Sequence, residues 1–307
     1  MSSKVLLAVV GPTAIGKTAL GIQLAKHFDT EIISADSRQF FKEMKIGTAV
    51  PSGEELNQAP HHFIQHKSIF EPYSVGDFEK DAIALLDNLY QKKDIAIMVG
   101  GSGLYVDAVI SGLDEFPKVD PQIRETLNKE LEDNGLESLQ KELKKRDPEY
   151  YKTVDLENPH RLIRALEVCR AANKPYSSFL NQQKPERLFK SLYIGIDAPR
   201  EVVYQRINSR VELMMEAGLL EEAKKLYPYK ELNALQTVGY KELFEYIDGK
   251  YTLDFAVSEI KKNTRRFAKR QLTWLRKNET ILWVPYNTEQ EKVLQMVTDR
   301  IKTNQYA

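Results

Sequence analysis

Gly11-Pro12-Thr13-Ala14-Ile15-Gly16-Lys17-Thr18 matches G-x-x-x-x-G-K-[ST], a spacing suited to holding a polyphosphate. Glycines let backbone wrap an anion closely. The amides at a helix start point at that anion, and the helix dipole favours negative charge there. Lys17 would bring a mobile positive charge, and the Thr18 hydroxyl is placed to hold Mg²⁺. Asp36 ends the short run Glu31-Ile32-Ile33-Ser34-Ala35. It reads equally as a carboxylate beside the phosphate loop and as the N-cap of a helical turn over Arg38-Gln39-Phe40-Phe41. Ser102 offers a hydroxyl within Gly100-Gly101-Ser102-Gly103, which is either a ligand-approaching turn or a plain strand-to-helix connection. Arg206 and Arg210, at i and i+4, could reach phosphates from one helix face or simply face solvent.

These residues need elements to hold them. Val5-Leu6-Leu7-Ala8-Val9-Val10 before the loop reads as a buried strand, and Ala19 to Lys26 after it as a helix. Ile95-Ala96-Ile97-Met98-Val99 and Leu192-Tyr193-Ile194-Gly195-Ile196 repeat the buried-strand pattern, and Ile281 to Val284 is a last strand. Helices are expected over Val75–Lys92, from Pro199 to about Lys225, over Thr252–Lys277 and near 288–302. Residues 45–60 read as a loop and a short helix. In an open α/β sheet ligands sit at the carboxyl ends of strands, which is where the loop, Asp36 and Ser102 all fall. The expected fold is therefore α/β, a P-loop NTPase-like parallel sheet core flanked by helices. From Asp120 to about Lys184 strand signals vanish and helical ones replace them: Pro121–Asn134, Leu136–Arg146, Asn158–Ala172 and Tyr176–Gln183. This gives a core of residues 1–118 and 189–307 interrupted by an all-helical insertion over 119–188, suited to a lid or a large substrate. His160-Arg161-Leu162-Ile163-Arg164 puts two arginines about one turn apart within it.

Composition narrows the function. The chain has 307 residues, 42% hydrophobic and 29% charged, as in an ordinary globular protein. No apolar run reaches membrane-spanning length, and the start, Met1-Ser2-Ser3-Lys4, has no signal-peptide pattern. A single cysteine, Cys169, leaves no internal disulfide and points to a cytoplasmic setting. Formal net charge is zero, yet residues 261–277 carry eight Lys or Arg and no acid, with Phe267 and Trp274 among them. That run reads as a nucleic-acid backbone contact, against the plainer reading of a solvated basic helix. His61, His62 and His66 match no standard zinc spacing and read as a packed strand. No Asn-Lys-x-Asp is present for guanine, and the strand over 95–99 ends in glycines instead of a magnesium-holding Asp. These absences argue against a GTPase and a motor ATPase. A small-molecule kinase fits the loop but not the basic helix.

Beyond the loop, Ser34-x-Asp36-Ser37, Lys45-Ile46-Gly47-Thr48-Ala49, Ala59-Pro60-His61-His62 and Val99-Gly100-Gly101-Ser102-Gly103-Leu104-Tyr105 follow in order. Arg161-Leu162-x-Arg164-Ala165-Leu166-Glu167, Val238-Gly239-Tyr240 and Lys269-Arg270-Gln271-x-Thr273-Trp274-Leu275-Arg276 complete the series. In these motifs and their order, over nearly the whole chain, the sequence resembles the tRNA dimethylallyltransferases.

The resemblance implies transfer of a dimethylallyl group from dimethylallyl diphosphate to N6 of the adenosine just 3′ of the tRNA anticodon, usually with Mg²⁺. The loop (Gly11, Thr13, Ala14, Ile15, Gly16, Lys17, Thr18) would hold the diphosphate with Arg206 and Arg210, and Thr18 the metal. Asp36, Ser102 and Lys17 would be catalytic, Asp36 as the base. Contact with the anticodon stem-loop would fall to Asp36, Ser37, Arg38, Gln39, Ser102, Arg124, His160, Arg161, Arg164, Gly239, Lys241, Lys269, Arg270 and Gln271. The family commonly has Thr where Ser102 stands, so the hydroxyl is retained, and often Gln where His160 stands. A monomer is expected. The rivals are a prenyltransferase acting on free adenine nucleotides, a metabolite kinase, and a non-catalytic RNA-binding protein with a vestigial loop.

Overall fold

The computed structural model describes residues 4–182, 186–303 and 306. Its centre is β1 (Val5–Val10), whose six residues are all buried. It pairs in parallel with β4 (Ile95–Val99) on one side and β5 (Lys190–Asp197) on the other. Outside β4 lie β2 (Ile32–Ser34) and then β3 (His61–His62), and outside β5 lies β6 (Leu282–Pro285). The order is β3-β2-β4-β1-β5-β6, and every pairing is parallel. A parallel sheet needs cover on both faces, which explains why β1, β4 and β5 read as unbroken apolar runs.

The described helices before β5 are α1 (Lys17–His27), α2 (Gly53–Leu56), α3 (Val75–Leu89), α4 (Gly103–Ser111), α5 (Pro121–Asn134), α6 (Leu136–Arg146), α7 (Pro148–Tyr151) and α8 (Pro159–Ala172). After β5 come α9 (Arg200–Glu216), α10 (Leu219–Leu226), α11 (Tyr240–Ile247), α12 (Leu253–Leu275) and α13 (Gln290–Lys302). Alternate residues of β1 part between two cores. Val5, Leu7 and Val9 join Leu24, Ile207 and Val297, from α1, α9 and α13. Leu6, Ala8 and Val10 join Phe78, Ala82, Val106 and Val109, from α3 and α4. A third core packs Met44, Val211, Leu219, Tyr240, Leu243 and Ile260. Among the described residues no helix is long and apolar enough to cross a membrane.

Several expected boundaries move for local reasons. The helix expected from Pro199 to Lys225 breaks at Gly218, where φ is +97°, a backbone state that glycine adopts without strain. Arg38 and Gln39 sit in a single 3-10 turn, Ser37–Phe40, and Tyr176–Phe179 is another such turn. Gln183, the expected end of that second segment, lies outside the described residues. Thr252 caps α12 and Asn158 caps α8, each accepting a backbone N–H in place of extending the helix.

The chain divides into two compact units, one of residues 1–110 with 187–307 and one of residues 111–186. The second is all helical. Leu127, Leu139, Leu143, Leu162 and Leu166 fill its core. Arg170 of α8 reaches Glu130 of α5 and Glu142 of α6 at 2.5–3.0 Å, cross-linking three helices. Asp147, 1% exposed, accepts from the Tyr150 and Ser177 amides and the Ser177 hydroxyl.

Candidate active site

The carboxyl ends of β1, β2 and β4 open on one side of the sheet, and the phosphate loop crosses them there. Gly11 and Gly16 hold φ of +146° and +108°, and Gly16 hands the chain to α1. The loop is tied down by side chains from distant segments. Arg206 of α9 donates to the Ile15 carbonyl at 3.0 Å, and the Thr13 amide donates to Gln271 Oε1 of α12 at 2.9 Å. Lys17 Nζ folds back onto the Pro12 carbonyl at 2.8 Å. Desolvation is the main force on this ammonium and lowers its pKa to about 7. The Asp36 carboxylate opposes that shift, and the Arg210 and Arg38 guanidiniums add to it. Burial likewise lowers Arg210, with Arg38 as the second cause and Asp36 opposing.

A chamber of about 1250 Å³, counting its open mouth, lies against the loop. Thr13 to Ala19, Asp36, Arg38, Gln39 and Arg210 give it one polar wall. Val99, Ile207, Val211, Met214, Val238 and Ile260 give it an apolar side. Asp36 fills both roles that its position suggested. It caps the Ser37–Phe40 turn, Oδ1 accepting from the Arg38 amide at 3.2 Å, and it faces the chamber. The Arg38 guanidinium sits 5.0 Å from the Phe267 ring centroid, and Ser37 is half-buried in the same turn. Gln39 donates to the carbonyls of Thr48 and Ala49 at 3.3 and 2.9 Å, fastening the turn to the next stretch of wall.

That stretch, Lys45 to Ala49, hangs on one carboxylate. Glu222 of α10 accepts from the amides of Lys45, Ile46 and Gly47 at 2.8–3.1 Å and from the Tyr240 hydroxyl at 2.6 Å. Tyr240 is fully buried, and a Cβ on Gly47 would fall 2.6 Å from its ring, so only glycine lets the loop pass. Gly239, at φ +105°, lines the chamber and donates to Glu242 at 2.8 Å, while Lys241 is exposed on the first turn of α11.

The histidines build structure. His61 and His62 form β3, with His62 Nε2 2.5 Å from Glu31 Oε2 and His61 Nδ1 2.8 Å from the Ala59 carbonyl. His66 stacks edge-on against Phe40, Phe63 and Tyr73. Among the described residues no three His, Cys, Asp or Glu side chains gather as a metal cage. In the helical unit Arg124 and Arg164 both bind the buried Glu167, at 3.0 and 2.5 Å. This single carboxylate holds two guanidiniums on one face, and His160 and Arg161 lie exposed at the start of α8.

Three of the eight basic residues of 261–277 have acidic partners among the described residues. Lys261 pairs with Glu212, Lys262 with Glu259, and Arg276 lies 3.8 Å from Asp197. Arg265 donates to Asn208. Arg266, Lys269, Arg270 and Lys277 surround a shallow groove with Thr273 and the half-exposed Trp274.

The IPP transferase family matches residues 39–278. The chain belongs to this family. A tRNA dimethylallyltransferase of Christiangramia forsetii is 62% identical over 301 residues, covering 98% of this chain and all of the relative. One of Flavobacterium johnsoniae is 57% identical over 307 residues, covering 98% and 99%. The structure of a tRNA isopentenylpyrophosphate transferase from Bacillus halodurans matches with a TM-score of 0.73 at 36% identity, covering 98% of this chain and 97% of that one. A eukaryotic dimethylallyltransferase, described as acting on tRNA, matches with a TM-score of 0.82 at 26% identity, covering 98% and 80%.

In this IPP transferase family member, Gln271 is one of the residues for which the resemblance implies tRNA contact. The structure places it inside, 7% exposed, with both amide atoms bound to backbone. Glu222 was missed altogether, although it holds the Lys45–Gly47 wall. Ser102 is half-buried at the entry to α4, one residue beyond Gly101.

Proposed function

We propose that this chain is a tRNA dimethylallyltransferase, moving a dimethylallyl group from dimethylallyl diphosphate to N6 of the adenosine 3′ of the anticodon and releasing diphosphate. One observation carries the site assignment: the Lys17 ammonium and the Asp36 carboxylate face one chamber closely enough for Asp36 to oppose the lowering of Lys17. A phosphate-binding loop needs the cation. A carboxylate beside it suits a reaction that removes a proton from an acceptor.

The C1–O bond to the diphosphate breaks as the N6–C1 bond forms, and an N6 proton passes to Asp36. The exocyclic amine is a weak nucleophile because its lone pair is delocalised into the ring, so proton acceptance during bond formation matters. The departing diphosphate is stabilised by Lys17, by loop and α1 amides, and by Arg206 and Arg210. Ser102 would hydrogen-bond near the reacting centre. The apolar side of the chamber, Ile207, Val211, Met214 and Ile260 among it, suits a five-carbon chain. The target base must leave its stack to enter.

Thr18 lines the chamber, and its hydroxyl would hold Mg²⁺ beside the diphosphate. The ion would neutralise leaving-group charge. Arg124, His160, Arg161 and Arg164 of the helical unit, with Ser37, Arg38, Gly239 and Lys241, would contact tRNA. Lys269 and Arg270, which have no acidic partner among the described residues, would meet its phosphates.

Incubation with tRNA and labelled dimethylallyl diphosphate, followed by nucleoside analysis, should put label on N6 of adenosine. Label on free AMP but not tRNA would favour the nucleotide prenyltransferase, and phosphoryl transfer from ATP would favour the kinase. Charge reversal at Lys269 and Arg270 should weaken tRNA binding and reduce the slope of log affinity against log salt by about two, one per lost phosphate contact. An unchanged slope would remove α12 from the interface.

A further inference from the structure

One buried side chain ties the phosphate loop and the turn after β4 to the basic helix. Gln271 accepts from the Thr13 amide of the phosphate loop at 2.9 Å and donates to the Gly101 carbonyl at 2.8 Å. A Cβ on Gly101 would fall 2.3 Å from Gln271 Nε2 and 3.4 Å from Lys17 Nζ. Three residues further along α12, Trp274 lies across Gly103, where a Cβ would come within 2.1 Å of its ring. Its indole N–H donates to Asp107 of α4 at 2.9 Å. Ser102 therefore stands between two glycines, each pressed by a residue on the same face of α12.

We propose that Gln271 is a positioning residue for the transfer, holding the phosphate loop and the Gly101–Ser102 segment in fixed register. The leaving diphosphate and the Ser102 hydroxyl then keep one geometry about the reacting carbon. The inference rests on the dimethylallyl-transfer reading. A carboxamide is suited to the task because it accepts from one backbone group and donates to another while staying neutral. A glutamate of the same shape accepts from Thr13 but cannot donate to Gly101, and it sets a charge beside Lys17. A leucine leaves both backbone groups buried without partners.

The test compares Gln271→Glu, Gln271→Leu and Gly101→Ala with the wild type in steady-state kinetics, with hydrogen exchange of the peptide carrying Thr13. All three should lose about 10–10²-fold in kcat, the cost of displacing reacting groups by roughly an ångström. KM for tRNA and for dimethylallyl diphosphate should change little. Thr13 should lose protection in Gln271→Leu and keep it in Gln271→Glu. An unchanged kcat overturns the proposal. A loss confined to KM for tRNA also overturns it and makes Gln271 an RNA contact. If the wild type itself transfers nothing, the functional reading fails on its own, and exchange decides the tie: unaltered protection in Gln271→Leu overturns it.

Discussion

Asp36→Asn is expected to lower turnover by about 10²–10⁴-fold, the range for losing a positioned general base, with tRNA affinity roughly intact. The choice of Asn follows from the structure. Asp36 Oδ1 caps the Ser37–Phe40 turn, so Asp36→Ala removes the base and loosens the turn that carries Arg38 and Gln39. That cap is worth about 0.5–2 kcal/mol, and its loss would mix a folding effect into the kinetics. Asn keeps the capping oxygen and cannot accept the proton, so it isolates the chemistry. The readouts are single-turnover transfer and equilibrium tRNA binding. Near-normal turnover in Asp36→Asn would remove this carboxylate as the base. A loss in Asp36→Ala alone would leave it with its capping role.

The same residue shows how far the sequence could be read. A cap and a carboxylate beside the phosphate loop call for the same side chain at the same place in the chain, and only the chamber shows that Asp36 is both. The phosphate loop was legible because its pattern is local: strand, glycines and helix are contiguous, and each glycine answers to a backbone angle. The parallel core was legible because strands buried on both faces have no polar period to disguise them. Interactions between remote segments were not legible. Gln271 meets partners 258 and 170 residues away, so its chemistry is invisible beside Lys269 and Arg270, and it reads as one more polar residue on a basic helix. Glu222 holds the Lys45–Gly47 amides from 175–177 residues away. The run at 261–277 looked uniformly free because two of the acids that partner it, Glu212 and Asp197, come from α9 and β5. Gly218 was read through because a single glycine inside a helical pattern costs only about 1 kcal/mol and often does not end it.

Lys17 carries the second large effect, and its size depends on pH. Lys17→Met should lower kcat by about 10²–10³-fold, as for loss of one preorganised group at a developing anion. The wild-type ammonium, lowered to about 7 from its ordinary 10.5 mainly by desolvation, is largely neutral at pH 8. A diphosphate brought against it favours the charged form and raises its pKa again. Binding above pH 7 must therefore take up a proton. The affinity gained from Lys17 falls as pH rises, by up to about tenfold per unit until the pKa of the bound state is reached. Inorganic pyrophosphate titrates as well, so Lys17→Arg is the reference, since a guanidinium stays charged throughout. Calorimetry of pyrophosphate binding at pH 8, in two buffers of different ionisation heat, should show more proton uptake by wild type than by Lys17→Arg. Equal uptake would mean that Lys17 is already charged before the anion arrives. Desolvation therefore lowers the charge that Lys17 carries before an anion binds, and an anion in the loop would restore it.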